Sequence, residues 1–177
     1  MLMRLRSAPL LLLAAAWLAD GATGSASQNL SAIVSPIATV MVAAATSLNR
    51  GPNAFDPFSG SVIVNYRGRT TPTGGGTVTL QVTSDFQPAG GPSAANKSLQ
   101  YTCSGATLGT ACSGAQTGST TTQTPVLTLP ASACTGGGGA CSSQDPNSVN
   151  VNFTITDDPG YSTGSYSAMV TFTISAT

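Results

Sequence analysis

The sequence predicts an all-β fold, an immunoglobulin-like antiparallel β-sandwich of seven to eight strands, and three observations carry that prediction. Apolar residues recur at every second position in several short segments, the period of a half-buried strand. Gly, Pro, Asn and Asp gather between those segments, where they act as turn signals. No stretch beyond the amino-terminal leader shows a convincing helical repeat, and no internal repeat or second domain is visible.

Taken in order, the first 26 residues read as a signal peptide. Arg4 and Arg6 form a basic start, Leu10 to Leu18 is an apolar run too short to cross a membrane, and Gly24-Ser25-Ala26 offers a cleavage site before Ser27. Residues 27–48 form an apolar extension or the first strand or strands. Its faces are Leu30, Ala32, Val34, Ala38, Val40 and Val42 on one side, and Ile33, Ile37, Met41 and Ala43 on the other. Pro36 interrupts it, and a residue without an N–H does not sit in a central strand, so two short strands or one bent edge strand are expected.

Residues 49–177 are assigned to the sandwich. Ser59–Arg67 points Val62, Val64 and Tyr66 one way, and Thr77–Phe86 does the same with Val78, Leu80 and Val82. Leu99–Cys103 is a short strand. Pro125–Pro130, flanked by prolines, is expected at a sheet edge. Ser148–Thr156 places Val149, Val151, Phe153 and Ile155 inward. After the turn Asp157-Asp-Pro-Gly160, the closing stretch from Tyr166 to Ile174 alternates without a break. There Tyr166, Ala168, Val170, Phe172 and Ile174 share one face, against Ser167, Met169, Thr171 and Thr173.

Only 7% of the 177 residues are charged, and there is no His. Nucleic acid and anionic membranes demand clustered Lys and Arg, so neither is an expected partner, and no membrane span is expected in the mature chain. The four cysteines fall in two close pairs, Cys103 with Cys112 and Cys134 with Cys141. In an exported chain an even number of Cys reads as a disulfide framework. Of three connectivities the one made of the two local bonds is favoured, because short Gly-rich loops close at small entropic cost. A zinc site would need ligand spacings that are absent, so no metal and no cofactor are expected.

Without His, Glu or a free Cys, neither a nucleophilic triad nor a metallohydrolase set can be assembled, so no enzyme is expected. Asp157 and Asp158 are the one adjacent acidic pair, and turn chemistry accounts for them. With Asp145 they are also a weak match for calcium, since their spacing fits no known loop. Tyr161 is the aromatic residue expected to be exposed, and Tyr66 and Tyr166 are expected in the core.

The closing Gly164-Ser-Tyr-Ser-Ala-Met-Val-Thr-Phe-Thr-Ile-Ser-Ala-Thr177 resembles the carboxyl-terminal strand of bacterial pilin and spore-coat-U-type secreted subunits of the chaperone–usher kind. Gly164 stands at the family's glycine position, and Tyr166 to Ile174 supply its alternation. Ala176 replaces the family's usual Tyr, and the two local Cys pairs differ from its usual single bridge. The resemblance implies a sandwich completed by a donor strand from a neighbouring subunit. Leu30, Ala32, Val34, Ala38, Val40 and Val42 would be the donor, and Gly164, Tyr166, Val170, Phe172 and Ile174 the acceptor groove. It also implies self-association or related subunits as partners, with a periplasmic chaperone and outer-membrane usher, and passage through the periplasm to the cell surface. The expected function is thus an exported structural subunit of a surface fibre or coat, joined by β-strand addition. The alternative is a self-contained secreted binding or adhesion module for carbohydrate or a cell surface.

Overall fold

The computed structural model describes residues 27–134, 141 and 146–177. The expected signal peptide, residues 1–26, and Asp145 lie outside them. The chain divides into two units, Met1–Ile33 and Val34–Thr177. In the first, the described residues 27–33 carry no strand or helix.

The second unit is an antiparallel β-sandwich. Among the described residues seven strands have five residues or more: β1 (Ile37–Met41), β3 (Phe58–Arg69), β4 (Gly76–Gln87), β5 (Leu99–Ser104), β8 (Thr124–Leu129), β9 (Asn147–Ile155) and β10 (Ser167–Ala176). Three two-residue strands, β2 (Asn49–Arg50), β6 (Thr110–Ala111) and β7 (Gln116–Thr117), pair at their margins. One sheet runs β1-β3-β9-β5-β7, with β2 also on β3, and the other runs β10-β4-β8-β6.

The strands form where alternation gives each a dry face. Val62, Val64 and Tyr66 of β3 meet Val78, Leu80 and Val82 of β4 across the sandwich, and Val149, Val151, Phe153 and Ile155 of β9 fill its centre. Two phenols enter this core, and both are hydrogen-bonded. The Tyr66 hydroxyl donates to the Leu108 carbonyl and accepts the Leu108 N–H at 3.2 Å. The Tyr101 hydroxyl lies 2.7 Å from Thr124 Oγ1 and donates to the Pro125 carbonyl at 2.8 Å. Burial raises both phenol pKa values, with the hydrogen bonds opposing it.

One strand departs from expectation. β8 is not an edge strand, because it lies between β4 and β6. A register shift between Val78 and Thr79 makes Leu127 and Pro125 face consecutive residues of β4. Val126 is the extra residue of that bulge, and it is buried together with Leu127. Pro125 is tolerated because it sits at the bulge, where ladder pairing is already broken.

Both local disulfides form. Cys103 is the penultimate residue of β5 in one sheet and Cys112 follows β6 in the other, with Cα atoms 5.2 Å apart, so the bond joins the two sheets. The loop between them turns at Gly109, whose φ is +87° and where an added Cβ would lie 2.3 Å from the Thr128 carbonyl oxygen. Cys134 and Cys141 are bonded with Cα atoms 5.3 Å apart. Ahead of Cys134, the buried Thr70 hydroxyl donates to the Pro130 carbonyl at 2.8 Å and accepts the Ala133 N–H at 2.8 Å.

The corner between β4 and β5 is built on Asp85. Its carboxylate accepts the Ser93 hydroxyl at 2.6 Å, the Ala94 N–H at 2.8 Å and the Phe86 N–H at 2.8 Å. Burial raises the pKa of this carboxyl, but those hydrogen bonds with a weaker one from Ala95 outweigh it, and the net direction is down. A folded-state pKa below the unfolded one means that Asp85 stabilises the fold above the ordinary carboxyl pKa of ~3.9. That contribution fades as pH falls through the depressed folded value. Asp85→Asn should therefore unfold more readily than wild type at pH 7, by about 1.5–3 kcal/mol, the range for hydrogen bonds to a charged group. Urea titrations at pH 7 and pH 2 check this, and the gap between the two proteins should shrink in acid. An equal gap at both pH values contradicts the assignment.

Candidate functional site

The feature that stands out is an unfinished edge. β10 pairs with β4 along Ser167–Ala176, from Ser167 opposite Gln87 to Ala176 opposite Gly76. On its other side no described strand pairs with it. β1 is in the same position at the edge of the other sheet, with β3 as its strand partner.

The inward residues of β10, Ala168, Val170, Phe172 and Ile174, pack on the core but are only half-buried. Their neighbours on β4 are sealed: Val78 and Leu80 are 0% exposed and Val82 is 1% exposed. The core is therefore dry up to β4 and becomes wet one strand later. Between the two edges runs a groove of about 260 Å³, lined by Val40, Met41 and Val42 on one side and Met169, Val170, Thr171 and Phe172 on the other. None of these residues is charged. An apolar groove beside two strand edges that no described strand covers favours one kind of occupant, an extended apolar segment that can add to a ladder.

The expected acceptor residues divide in two. Val170, Phe172 and Ile174 share the inward face of β10, and the first two line the groove. Gly164 and Tyr166 precede the strand. Tyr166 is half-buried, covers Gly91 with its ring and donates its hydroxyl to the Ser162 carbonyl at 2.6 Å. Gly164 has no steric reason to be glycine, since an added Cβ would meet only the Tyr166 ring at 3.6 Å.

The expected donor residues divide as well. Ala38 and Val40 lie in β1, opposite Gly68 and Tyr66 of β3 in the same chain. Val42 follows the strand and Val34 precedes Pro36, and both are exposed. Leu30 and Ala32 belong to the first unit, where Leu30 is 92% exposed. Sequence periodicity passes over Met41 and Met169 as groove residues. The available signal is Met169 itself, an apolar side chain among Ser167, Thr171 and Thr173 on the outward face.

The other candidates behave as turn and surface residues. Asp158 accepts the Gly160 N–H at 2.8 Å, an Asx-type turn, and Asp157 lies 3.6 Å from the Arg50 guanidinium. Tyr161 is half-buried. Among the described residues no group of three or more His, Cys, Asp or Glu is placed to hold a metal ion, and no helix is long and apolar enough to cross a membrane. Comparison with family models, curated proteins and solved structures finds no match for this chain.

Proposed function

We propose that this protein is an exported structural subunit of a surface fibre or coat, assembled by β-strand addition between copies or related subunits. The observation that carries the proposal is the half-buried inner row of β10, Ala168 to Ile174, at an edge that no described strand covers. Strand order supports it. The runs β1-β3-β9-β5 and β10-β4 match an A-B-E-D and F-C order, although β8, which follows β5 in the chain and lies beside β4, departs from it; in that reading an added strand outside β10 would take the place of strand G. Apolar residues on an added strand would seal Val170 and Phe172, while its main chain would satisfy the β10 edge. Two disulfides are consistent with an oxidising compartment on the way to a surface. A periplasmic chaperone holding the same groove before assembly fits this chemistry.

One observation favours the alternative, a self-contained binding or adhesion module. β1 already pairs with its own β3 and so is used in cis. The oligomeric state of the exported, oxidised protein separates the two, read by size-exclusion chromatography with light scattering and by negative-stain microscopy. Ladders or filaments that withstand mild detergent are expected. A stable, monodisperse monomer at all concentrations would remove the fibre proposal.

A further inference from the structure

Four methionines occur in the chain, and two of them, Met1 and Met3, fall in the expected signal peptide. The other two, Met41 and Met169, are far apart in sequence yet line the same groove. Met41 closes β1 at 51% exposure, and Met169 lies near the start of β10 at 62% exposure. Met169 belongs to the outward row of β10, where Ser167, Thr171 and Thr173 are polar. The ladder to β4 slips on both sides of it, from Ser167 opposite Gln87, to Met169 opposite Ser84, to Val170 opposite Val82. Such irregularities bend a strand and re-aim its side chains. Met169 and the inward Val170 therefore both line the groove, although they are consecutive. The cysteine sulfurs are already spent in the bonds Cys103–Cys112 and Cys134–Cys141. Within residues 27–177, Met41 and Met169 are thus the two sulfurs open to oxygen transfer, and both stand at the groove.

We propose that Met41 and Met169 form a paired oxidation site whose sulfoxides close the groove to strand addition. The proposal rests on assembly by strand addition and names what regulates it. The oxidant is a peroxide. Each thioether sulfur attacks one peroxide oxygen and the O–O bond breaks. The sulfur gives up two electrons and gains that oxygen, and the other oxygen leaves as water when the oxidant is hydrogen peroxide. An apolar, flexible side chain becomes a polar one without a change in charge. The groove has little to offer the new acceptor. Its one side-chain hydroxyl, on Thr171, already lies 2.9 Å from Thr83 Oγ1, and its other side chains are apolar. An apolar strand laid over the sulfoxides would bury them without a side-chain donor, which opposes addition.

The test treats the full disulfide-bonded chain with hydrogen peroxide and compares wild type with the Met41→Leu/Met169→Leu variant, which keeps apolar bulk and carries no thioether at the groove. Peptide mass spectrometry should show one added oxygen on each of Met41 and Met169. Assembly of treated wild type, followed by light scattering, should slow by about tenfold or more relative to untreated protein. The Leu variant should assemble equally well before and after treatment. Methionine sulfoxide reductase should return the treated wild type to its starting rate, an arm that needs no variant. Urea midpoints should not move on treatment, because both side chains are largely exposed in the fold. Unchanged assembly with both sulfoxides formed would overturn the switch, as would equal slowing of the Leu variant, a lowered urea midpoint, or no recovery after reduction. If untreated wild type does not assemble, strand addition itself falls, and the switch falls with it.

Discussion

Leu80→Ala is expected to lower the unfolding free energy of the monomer by about 2–5 kcal/mol, while Phe172→Ala costs less than about 2 kcal/mol. The comparison is informative because the two residues face each other in register, Phe172 of β10 opposite Leu80 of β4. In a closed sandwich the larger ring would be the costlier loss, since truncating a buried Phe removes more apolar area than truncating a Leu. Here the order reverses, because Leu80 is fully enclosed and Phe172 is already partly in water. If copies assemble as proposed, the order should shift again. A donor strand that covers Phe172 would make its truncation weaken association, while Leu80→Ala would act on the fold alone. Urea midpoints at constant m-value give the first comparison, and light scattering at matched concentration gives the second. Equal losses in the monomer would mean that β10 is as deeply packed as β4 and that its edge needs no partner.

Much of the fold is legible in the sequence because β3, β4 and β9 each bury one face, and one-sided burial prints a period of two. The same logic fails at each end. Alternation along β10 reports which side chains point inward, but not whether anything lies beyond the strand to cover them. It also extends one residue too far. Tyr166 keeps the period but leaves the strand, because its hydroxyl bonds to Ser162 and its ring rests on Gly91. At β1 both faces are apolar, so no face is marked and the cis pairing with β3 leaves no trace in the pattern. Proline misleads at β8, where a bulge accommodates it inside the sheet, and informs at Pro36, directly after which β1 begins. Asp85 and Thr70 were invisible for another reason: their partners are 8 to 63 residues away or lie on the main chain, and single polar residues carry no period. The cysteine pairing was legible because short loops make local closure the low-cost solution.

Removing the Cys103–Cys112 bond should be the most damaging change outside the core. Closing a loop with a sequence separation of 9 restricts the unfolded chain enough to contribute about 3 kcal/mol on a chain-entropy basis. Against a typical domain stability of about 5–15 kcal/mol, that is a large share. The Cys134–Cys141 bond, with a separation of 7, should contribute nearly as much if loop entropy were the whole account. It should not be, because Cys103 and Cys112 also pack against the hydrophobic core and link β5 of one sheet to the end of β6 in the other. The Cys103→Ala/Cys112→Ala double variant should therefore unfold at lower urea than the Cys134→Ala/Cys141→Ala double variant, both measured as oxidised monomers. Equal midpoints would assign the whole effect to the unfolded chain. A larger loss for the Cys134–Cys141 pair would shift the structural role to the turn that Thr70 anchors, because that turn leads directly into Cys134.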